Sequence, residues 1–235
     1  MQNSLDAIRT YNPALNTVNV NIGNYFNSDN KNLLVFSVED SIGISDEGIL
    51  SMMIPFLSNK TPSDIVTGEM GSGFFNIYRE TKDVYIDTIK DGKRTVIHDI
   101  PIKDESDRVI DLTRTVKYET VDKPNKTTIY GVIEFDNITE KLNFAGEFMN
   151  IIVNTFAFMK DIVLKFNGKV LSINPVTLIK TDDFRVYTLN SKYSIPSYIF
   201  TKGVPFAPLY KYFKNKDLLK SFVEDNISNN IIIDI

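Results

Sequence analysis

Three glycines stand directly before an amphipathic segment, in the stretch from Thr67 to Phe75 (TGEMGSGFF). Their spacing is Gly-x-x-Gly-x-Gly, at Gly68, Gly71 and Gly73. Glycine lets the backbone approach a ligand closely, and the first turn of a helix offers N–H groups that suit a phosphate. A turn that only packs against a helix would use the same glycines. Polar residues elsewhere in the chain therefore have to distinguish a phosphate-binding segment from a packing turn.

Two further segments place polar side chains where they could contact a ligand. Asn3 and Asp6 are three residues apart in a predicted helix, so they share one helix face. Glu39 and Asp40 end a predicted strand, and Gly43 follows them before a capped helix. Read alone, the first pair could be solvated helix residues and the second pair turn residues.

The composition excludes several other kinds of site. The chain has no cysteine, which excludes disulfides, thiol catalysis and cysteine-bound zinc. Its single histidine, His98, excludes a multi-histidine metal site, and we expect it to be a surface or hydrogen-bonded residue of a hairpin strand. The net charge of −4 and the pI of about 5.2 are not those expected of a domain that binds nucleic acid directly.

Apolar runs and chain length bear on where the protein is located and on how many domains it can form. No apolar run approaches the ~20 residues of a membrane-spanning helix, and the N-terminus lacks the layout of a signal peptide. We therefore expect no membrane partner and a cytoplasmic (or nuclear or viral) protein that is not secreted. A chain of 235 residues can form one sizeable domain and part of a second.

Hydrophobic periodicity and turn signals predict the elements that position these residues. Helices are predicted over 2–9, from 45–47 onward, from 68–73 onward, over 140–159 and over 216–224. The helix over 140–159 is apolar nearly all round, which predicts that it is buried on several sides. Strands are predicted over 18–22, 33–38, 84–89, 94–98, 109–118, 127–135, 162–166 and 169–171. Asp91-Gly92 and Asn167-Gly168 are predicted hairpin turns. The order predicts an α+β fold, a mostly antiparallel mixed sheet with helices on one face.

In order and spacing, the segments resemble the GHKL, or Bergerat-fold, ATPase domain of gyrase B, the Hsp-ninety class of heat-shock chaperones, sensor histidine kinases and MutL. The stretch GEMGSGFFNIY from Gly68 is similar to the G-x-F-G-x-G-F-x-S-x-Y form of the chaperone branch. EDSIGISDEG from Glu39 is similar to the D-[DN]-G-x-G-[IM]-S-x-E-E form of MORC ATPases. QNSLDA from Gln2 looks like the N-A-x-D-A helix, and Ser58 to Lys60 resembles the start of the MutL and MORC lid. The resemblance covers about residues 1–172, leaving 173–235 as an extension or the start of a following domain.

The resemblance implies that the domain binds ATP and Mg²⁺. Asn3 would ligate Mg²⁺ with Asp6 beside it, and residues 54–67 would form a lid over the nucleotide. A strand-end carboxylate would accept a hydrogen bond from the adenine amino group, with support from Thr127. The implied ATP-binding residues are Asn3, Asp6, Glu39, Asp40, Gly43, Lys60, Gly68, Gly71, Ser72, Gly73, Phe74 and Thr127.

The chain departs from the family pattern at three places. Glu39 stands at the adenine position where the family has Asp, so Asp40 is the alternative, and Ser41 replaces a usual glycine. The family's general base is a Glu four residues before the Asn, a position that falls before Met1. We expect an N-terminally incomplete chain whose full-length protein hydrolyses ATP as a nucleotide-gated clamp, with a homodimer forming on ATP binding.

Two alternatives remain open at this stage. A degenerate GHKL domain would serve as a non-catalytic binding or structural module. A histidine-kinase catalytic domain would also carry the Asn-containing helix, but no phosphoacceptor helix precedes it here, and the glycine pattern is chaperone-like.

Overall fold

The computed structural model describes residues 2–11, 14, 17–24, 32–53, 76–156, 162–171, 175–183, 185–189, 198–201, 204–208 and 230–234. The described helices are α1 (Gln2–Tyr11), α2 (Asp46–Met53), α3 (Asn76–Glu80) and α4 (Ile138–Phe156). The first eight described strands are β1 (Thr17–Asn24), β2 (Leu33–Asp40), β3 (Asp83–Lys90), β4 (Lys93–Lys103), β5 (Val109–Thr120), β6 (Lys126–Glu134), β7 (Val163–Phe166) and β8 (Lys169–Val170). The later ones are β9 (Pro175–Lys180), β10 (Arg185–Leu189), β11 (Tyr198–Thr201), β12 (Val204–Pro208) and β13 (Asn230–Asp234).

The chain divides into two compact units. The first contains Met1–Ala145 and Lys165–Val170, and the second contains Gly146–Leu164 and Leu171–Ile235. The predicted domain boundary near residue 172 stays a prediction. Among the described helices, none is long and apolar enough to cross a membrane.

An eight-stranded sheet with the order β5-β4-β3-β6-β2-β1-β7-β8 forms the framework of the first unit. Successive residues of a strand point to opposite faces, so cross-strand pairs identify the residues of each face. Val20, Val38, Ile86 and Ile97 share one face, which we call the inner face. These four side chains are between 0% and 9% exposed, which places the apolar core on the inner face.

Both predicted hairpin turns are confirmed. Asp91 and Gly92 have φ angles of 50° and 80°, and Asn167 and Gly168 have φ angles of 46° and 76°. Two consecutive residues with positive φ are typical of a type I′ turn, for which Asp-Gly and Asn-Gly are the favoured sequences.

The predicted start of α2 is also confirmed. The Ser45 hydroxyl accepts a hydrogen bond from the Gly48 amide at 3.2 Å, and the Ser45 carbonyl accepts one from Ile49. This is the arrangement of a serine N-cap, and Asp46 and Glu47 in the first turn suit the positive end of the helix dipole.

The prediction for α4 was right about the helix but wrong about its surroundings. Its many apolar residues predicted burial on several sides, yet Leu142 is 64% exposed and Ile151 is 59% exposed. Phe144 packs on Phe135, with their ring centroids 5.3 Å apart, and the buried Lys141 donates to Asn24. Apolar composition therefore indicated the helix without indicating which of its sides is covered.

The second unit contains strands that the sequence did not reveal. They form a five-stranded sheet with the order β12-β11-β13-β10-β9, in which β11 and β13 run parallel. The predicted helix over 216–224 lies outside the described residues, as does the predicted helix start at 68–73.

Candidate functional site

The candidate residues divide into those that the structure describes and those that it does not. Of α1, the structure describes the backbone of Asn3 but not its side chain. The lid over 54–67 and the glycine segment lie outside the described residues, and with them Lys60, Gly68, Gly71, Ser72, Gly73 and Phe74. The described site therefore consists of the end of β2, the loop after it, α1 and the start of β6.

The two carboxylates that end β2 lie on opposite faces of the sheet. Asp40 is paired with Thr127 of β6 and shares the inner face with Val38. Glu39 is paired with Thr128 and lies on the other, outer face. Only Asp40 is therefore on the face that α1 covers.

Asp40 lies in a buried environment next to α1. Its side chain is 5% exposed, the Ser4 hydroxyl donates a hydrogen bond to it, and the Ile42 amide donates to its Oδ1 at 2.9 Å. Burial raises the pKa of Asp40 to about 6, although the hydrogen bonds from Ser4 and Ile42 act in the opposite direction. Asp6, also from α1, is 1% exposed.

Glu39 is occupied on the outer face. Its Oε2 lies 2.5 Å from Lys126 Nζ and 3.3 Å from the Thr128 hydroxyl. The Glu39 side chain is 33% exposed, so this ion pair is partly solvated. Glu39, which stands at the adenine position of the family pattern, is therefore the carboxylate that faces away from α1, and Asp40 is the one that faces it.

Thr127 makes one hydrogen bond to the loop after Asp40 and one to β3. Its hydroxyl donates to the Ile42 carbonyl at 2.5 Å and lies 2.9 Å from the Thr88 hydroxyl. Thr88 Oγ1 in turn accepts a hydrogen bond from the Ile44 amide at 2.9 Å. Loop 41–45 is thus held to β3 and β6 by two threonine hydroxyls.

Gly43 lies at the point where this loop comes closest to β3. A Cβ atom at Gly43 would be 2.1 Å from the Ile89 carbonyl oxygen and 2.9 Å from Lys90 Cα. Both neighbours are backbone atoms, so a side chain at this position would require the loop or the strand to move. The structure therefore gives Gly43 a role in packing the loop that follows Asp40.

Sequence analysis missed two residues of this site, Ser4 and Thr88. Thr88 had a detectable signal: it alternates with Val84 and Ile86 in β3, so a polar residue takes an inner-face position. Ser4, which is 6% exposed in the structure, had a weaker signal: it lies in the same predicted helix turn as Asp6.

A second buried polar cluster attaches α3 to the sheet. Asp99 of β4 is fully buried, accepts two hydrogen bonds from Arg114 at 2.6 and 2.8 Å, and accepts one from the Tyr78 hydroxyl at 2.5 Å. Burial and the Asp99 carboxylate together raise the pKa of Tyr78 above its usual range. Asp99 likewise raises the pKa of Arg114 by a hydrogen bond and by its charge.

His98 is a hydrogen-bonded residue, as the sequence predicted. Its Nε2 lies 2.7 Å from Asp83 Oδ1, and its ring stacks on Tyr85 with the centroids 4.1 Å apart. Tyr85 and His98 are a cross-strand pair of β3 and β4.

Comparison with known proteins gives matches in structure. No protein-family model and no curated protein matches the sequence. The ATPase region of Saccharomyces cerevisiae topoisomerase II bound to ICRF-187 is similar with a TM-score of 0.59 and 16% identity, over 99% of this chain and 70% of that chain. The ATPase and transducer domains of DNA topoisomerase II from Balamuthia mandrillaris are similar with a TM-score of 0.56 and 14% identity, over 99% of this chain and 69% of that chain.

The chain has the GHKL ATPase fold. The α+β architecture predicted from the sequence is thereby confirmed. At 14–16% identity the similarity is one of fold, so the GHKL fold shows where a site can lie and the residues have to show what the site can do.

Proposed function

We propose that the first unit binds ATP with Mg²⁺ on the inner face of its sheet and serves as a nucleotide-gated module of a clamp. The observation that carries the proposal is the buried Asp40 carboxylate, which faces α1 at the end of a central strand. Burial of a carboxylate raises the free energy of its charged form, and functional sites are where such groups concentrate.

Hydrogen-bond chemistry favours adenine as the base. Asp40 in its ionised form can only accept hydrogen bonds, and Thr127 uses its hydrogen for the Ile42 carbonyl, so its oxygen also accepts. The amino group of adenine has two N–H donors, whereas guanine has a carbonyl oxygen at the equivalent ring position. We therefore propose Asp40, rather than Glu39, as the group that selects ATP over GTP.

The phosphate and metal contacts are proposed from the resemblance together with the fold. Gly68, Gly71 and Gly73, with Ser72 and Phe74, would contact the phosphates, and Lys60 would belong to the lid. The Asn3 amide oxygen would hold Mg²⁺, which prefers oxygen ligands and phosphates, with Asp6 close by. Mg²⁺ would supply charge neutralisation at the phosphates.

Hydrolysis and ATP-driven dimerisation are proposed for the whole protein. One of the similar structures contains a transducer domain next to its ATPase domain, and the similarity extends over nearly all of this chain. We propose that the second unit has an equivalent place and passes the nucleotide state of the first unit to the rest of a clamp.

Thermal unfolding with nucleotides tests the proposal. At 100 times its Kd, a ligand that binds only the folded state adds about 2.7 kcal/mol, which in a chain of this size raises Tm by roughly 5–10 °C. ATP with Mg²⁺ should raise Tm, and GTP with Mg²⁺ should raise it less. An unchanged Tm at millimolar ATP would contradict the proposal.

A further inference from the structure

The loop after Asp40 is closed by a directed chain of hydrogen bonds that passes through two side chains. The Ile44 amide can only donate, and it donates to Thr88 Oγ1 at 2.9 Å. The Ile42 carbonyl can only accept, and it accepts from the Thr127 hydroxyl at 2.5 Å. Between them, the two hydroxyl oxygens are 2.9 Å apart.

The donor at one end and the acceptor at the other determine which of the two threonine hydroxyls donates to the other. Thr127 has one hydrogen, which goes to the Ile42 carbonyl, so Thr88 must be the donor in the bond between the two hydroxyls. Among the described residues, Thr88 has one other acceptor in reach, the Lys126 carbonyl at 3.3 Å, which is the longer contact. Thr127 therefore offers a ligand only the remaining acceptor capacity of its oxygen.

Burial makes this arrangement persistent. Thr88 is 1% exposed and Thr127 is 3% exposed, so water has little access to replace a lost partner. The same loop supplies the Ile42 amide to Asp40 Oδ1, so the position of the loop and the position of the carboxylate are coupled. The Gly43 backbone fits against the Ile89 carbonyl without room for a side chain, so the loop and β3 are in close backbone contact.

We infer that Thr88 is a specificity-determining positioning residue: it holds loop 41–45 and the Thr127 hydroxyl in place, so that Asp40 and the Thr127 oxygen both face the site as acceptors and the site favours an amino-bearing base over a keto base. Thr88 acts through Thr127 and through the loop and has no contact with the base. The inference rests on the proposed ATP site and adds to it a residue on a different strand.

Thr88→Val tests the inference, because valine keeps the shape and removes the hydroxyl. The Ile44 amide then loses its partner, and the Thr127 oxygen loses the hydrogen bond that it accepts from Thr88. Loop 41–45 is then no longer held to β3 by a side chain, and the position of Asp40, which accepts from the Ile42 amide of that loop, changes with it. We expect the ratio of ATP affinity to GTP affinity, measured by calorimetry in saturating Mg²⁺ on the full 235-residue chain, to fall about tenfold. Thr88→Ser retains the hydroxyl and should keep the ratio within about twofold of the unsubstituted chain.

Thr128→Val is the matched control. Thr128 is the neighbour of Thr127, is equally buried, and bonds to Glu39 on the outer face. Removal of the Thr128 hydroxyl should leave the ratio of ATP affinity to GTP affinity unchanged. Two results would overturn the inference: an ATP-to-GTP affinity ratio that does not fall in Thr88→Val, and one that falls equally in Thr88→Val and Thr128→Val. A tenfold fall of the same ratio in Thr88→Ser would also overturn it.

A measurement without substitution covers the case in which Thr88→Val does not fold. Amide hydrogen exchange of the unsubstituted chain should show Ile44 protected to a degree similar to the Ile86 amide of β3. Rapid exchange at Ile44 would overturn the inference. Absence of ATP binding by the unsubstituted, folded chain would instead contradict the proposed function, while protection of Ile44 would still report on the hydrogen-bond chain.

Discussion

Asp40 and Glu39 are consecutive residues of β2, and their carboxylates lie on opposite faces of the same sheet. Asp40 is buried beside α1 and carries a pKa of about 6, whereas Glu39 is partly solvated and paired with Lys126. The two differ by one methylene group and one position in the chain. They therefore form a matched pair for testing which face of the sheet holds the nucleotide.

The raised pKa of Asp40 predicts a pH-dependent choice of base. Above pH 6 the carboxylate is ionised and accepts from an adenine amino group; below pH 6 it becomes protonated and can donate to a guanine carbonyl. The ratio of ATP affinity to GTP affinity should be constant above about pH 7 and should fall by up to about tenfold per pH unit below 6. Because ATP and GTP carry the same phosphates, phosphate titration cancels in the affinity ratio, and the remaining pH dependence reports on contacts to the base. A ratio independent of pH from 5 to 8 would argue against Asp40.

Asp40→Asn should stabilise the protein at alkaline pH. Folding raises the pKa of Asp40 from 3.8 to about 6, so its contribution to stability is fully present below pH 4 and is lost as pH rises through 6. Asparagine lacks the buried charge and can still accept from the Ile42 amide. We expect the difference in unfolding free energy between the variant and the unsubstituted chain to grow by on the order of 1 kcal/mol from pH 5 to pH 8. Denaturant unfolding at both values measures it, and an equal difference at both would exclude the ascribed pKa.

Gly43→Ala should displace the loop that follows Asp40. The added Cβ would overlap the Ile89 carbonyl, and neither backbone can yield without breaking strand or loop hydrogen bonds. We expect a loss of about 1–3 kcal/mol of unfolding free energy together with weaker ATP binding. Gly23→Ala is the control, because a Cβ at Gly23 has no atom within 4 Å. Equal stability of the two variants would contradict the packing role.

The Asp99 cluster should contribute far more to stability than a similar pair on the outer face. Arg114→Ala leaves the fully buried Asp99 carboxylate without its cation and should cost about 3–5 kcal/mol. Arg94 makes an equivalent two-bond contact with Asp87, but there the side chains are 32% and 24% exposed. Arg94→Ala should therefore cost about 1 kcal/mol or less. Chemical denaturation of both variants measures the difference, and similar losses would contradict the assignment of Asp99 as buried.

The sequence predicted the first unit in detail because its elements carry local signals. Alternating apolar residues located β1, a dense apolar run located β2, Asp-Gly and Asn-Gly located two turns, and Ser45 located the start of α2. The strands of the second unit were missed. β13 pairs with β10 and β11 across a long separation in the sequence, and the strands of the local pairs β9–β10 and β11–β12 are only four to six residues long.

The site was predictable in its location but not in its details. A one-residue shift of a strand register reverses the face of every side chain, so the choice between Glu39 and Asp40 depended on the pairing with β6. Thr88 lies far from loop 41–45 in the sequence and meets it only through the sheet. Local motifs contain no information of that kind.

The affinities of ATP and GTP for three forms of the chain test the central claim most directly. Calorimetry in saturating Mg²⁺ on the unsubstituted chain, Asp40→Asn and Glu39→Gln would give six Kd values. We predict that Asp40→Asn weakens ATP binding about 10- to 100-fold and removes the preference over GTP, because a charge-assisted hydrogen bond is lost. Glu39→Gln should change neither affinity by more than about twofold. Weakening by Glu39→Gln with no effect of Asp40→Asn, or no binding of ATP to the folded, unsubstituted chain, would contradict the account.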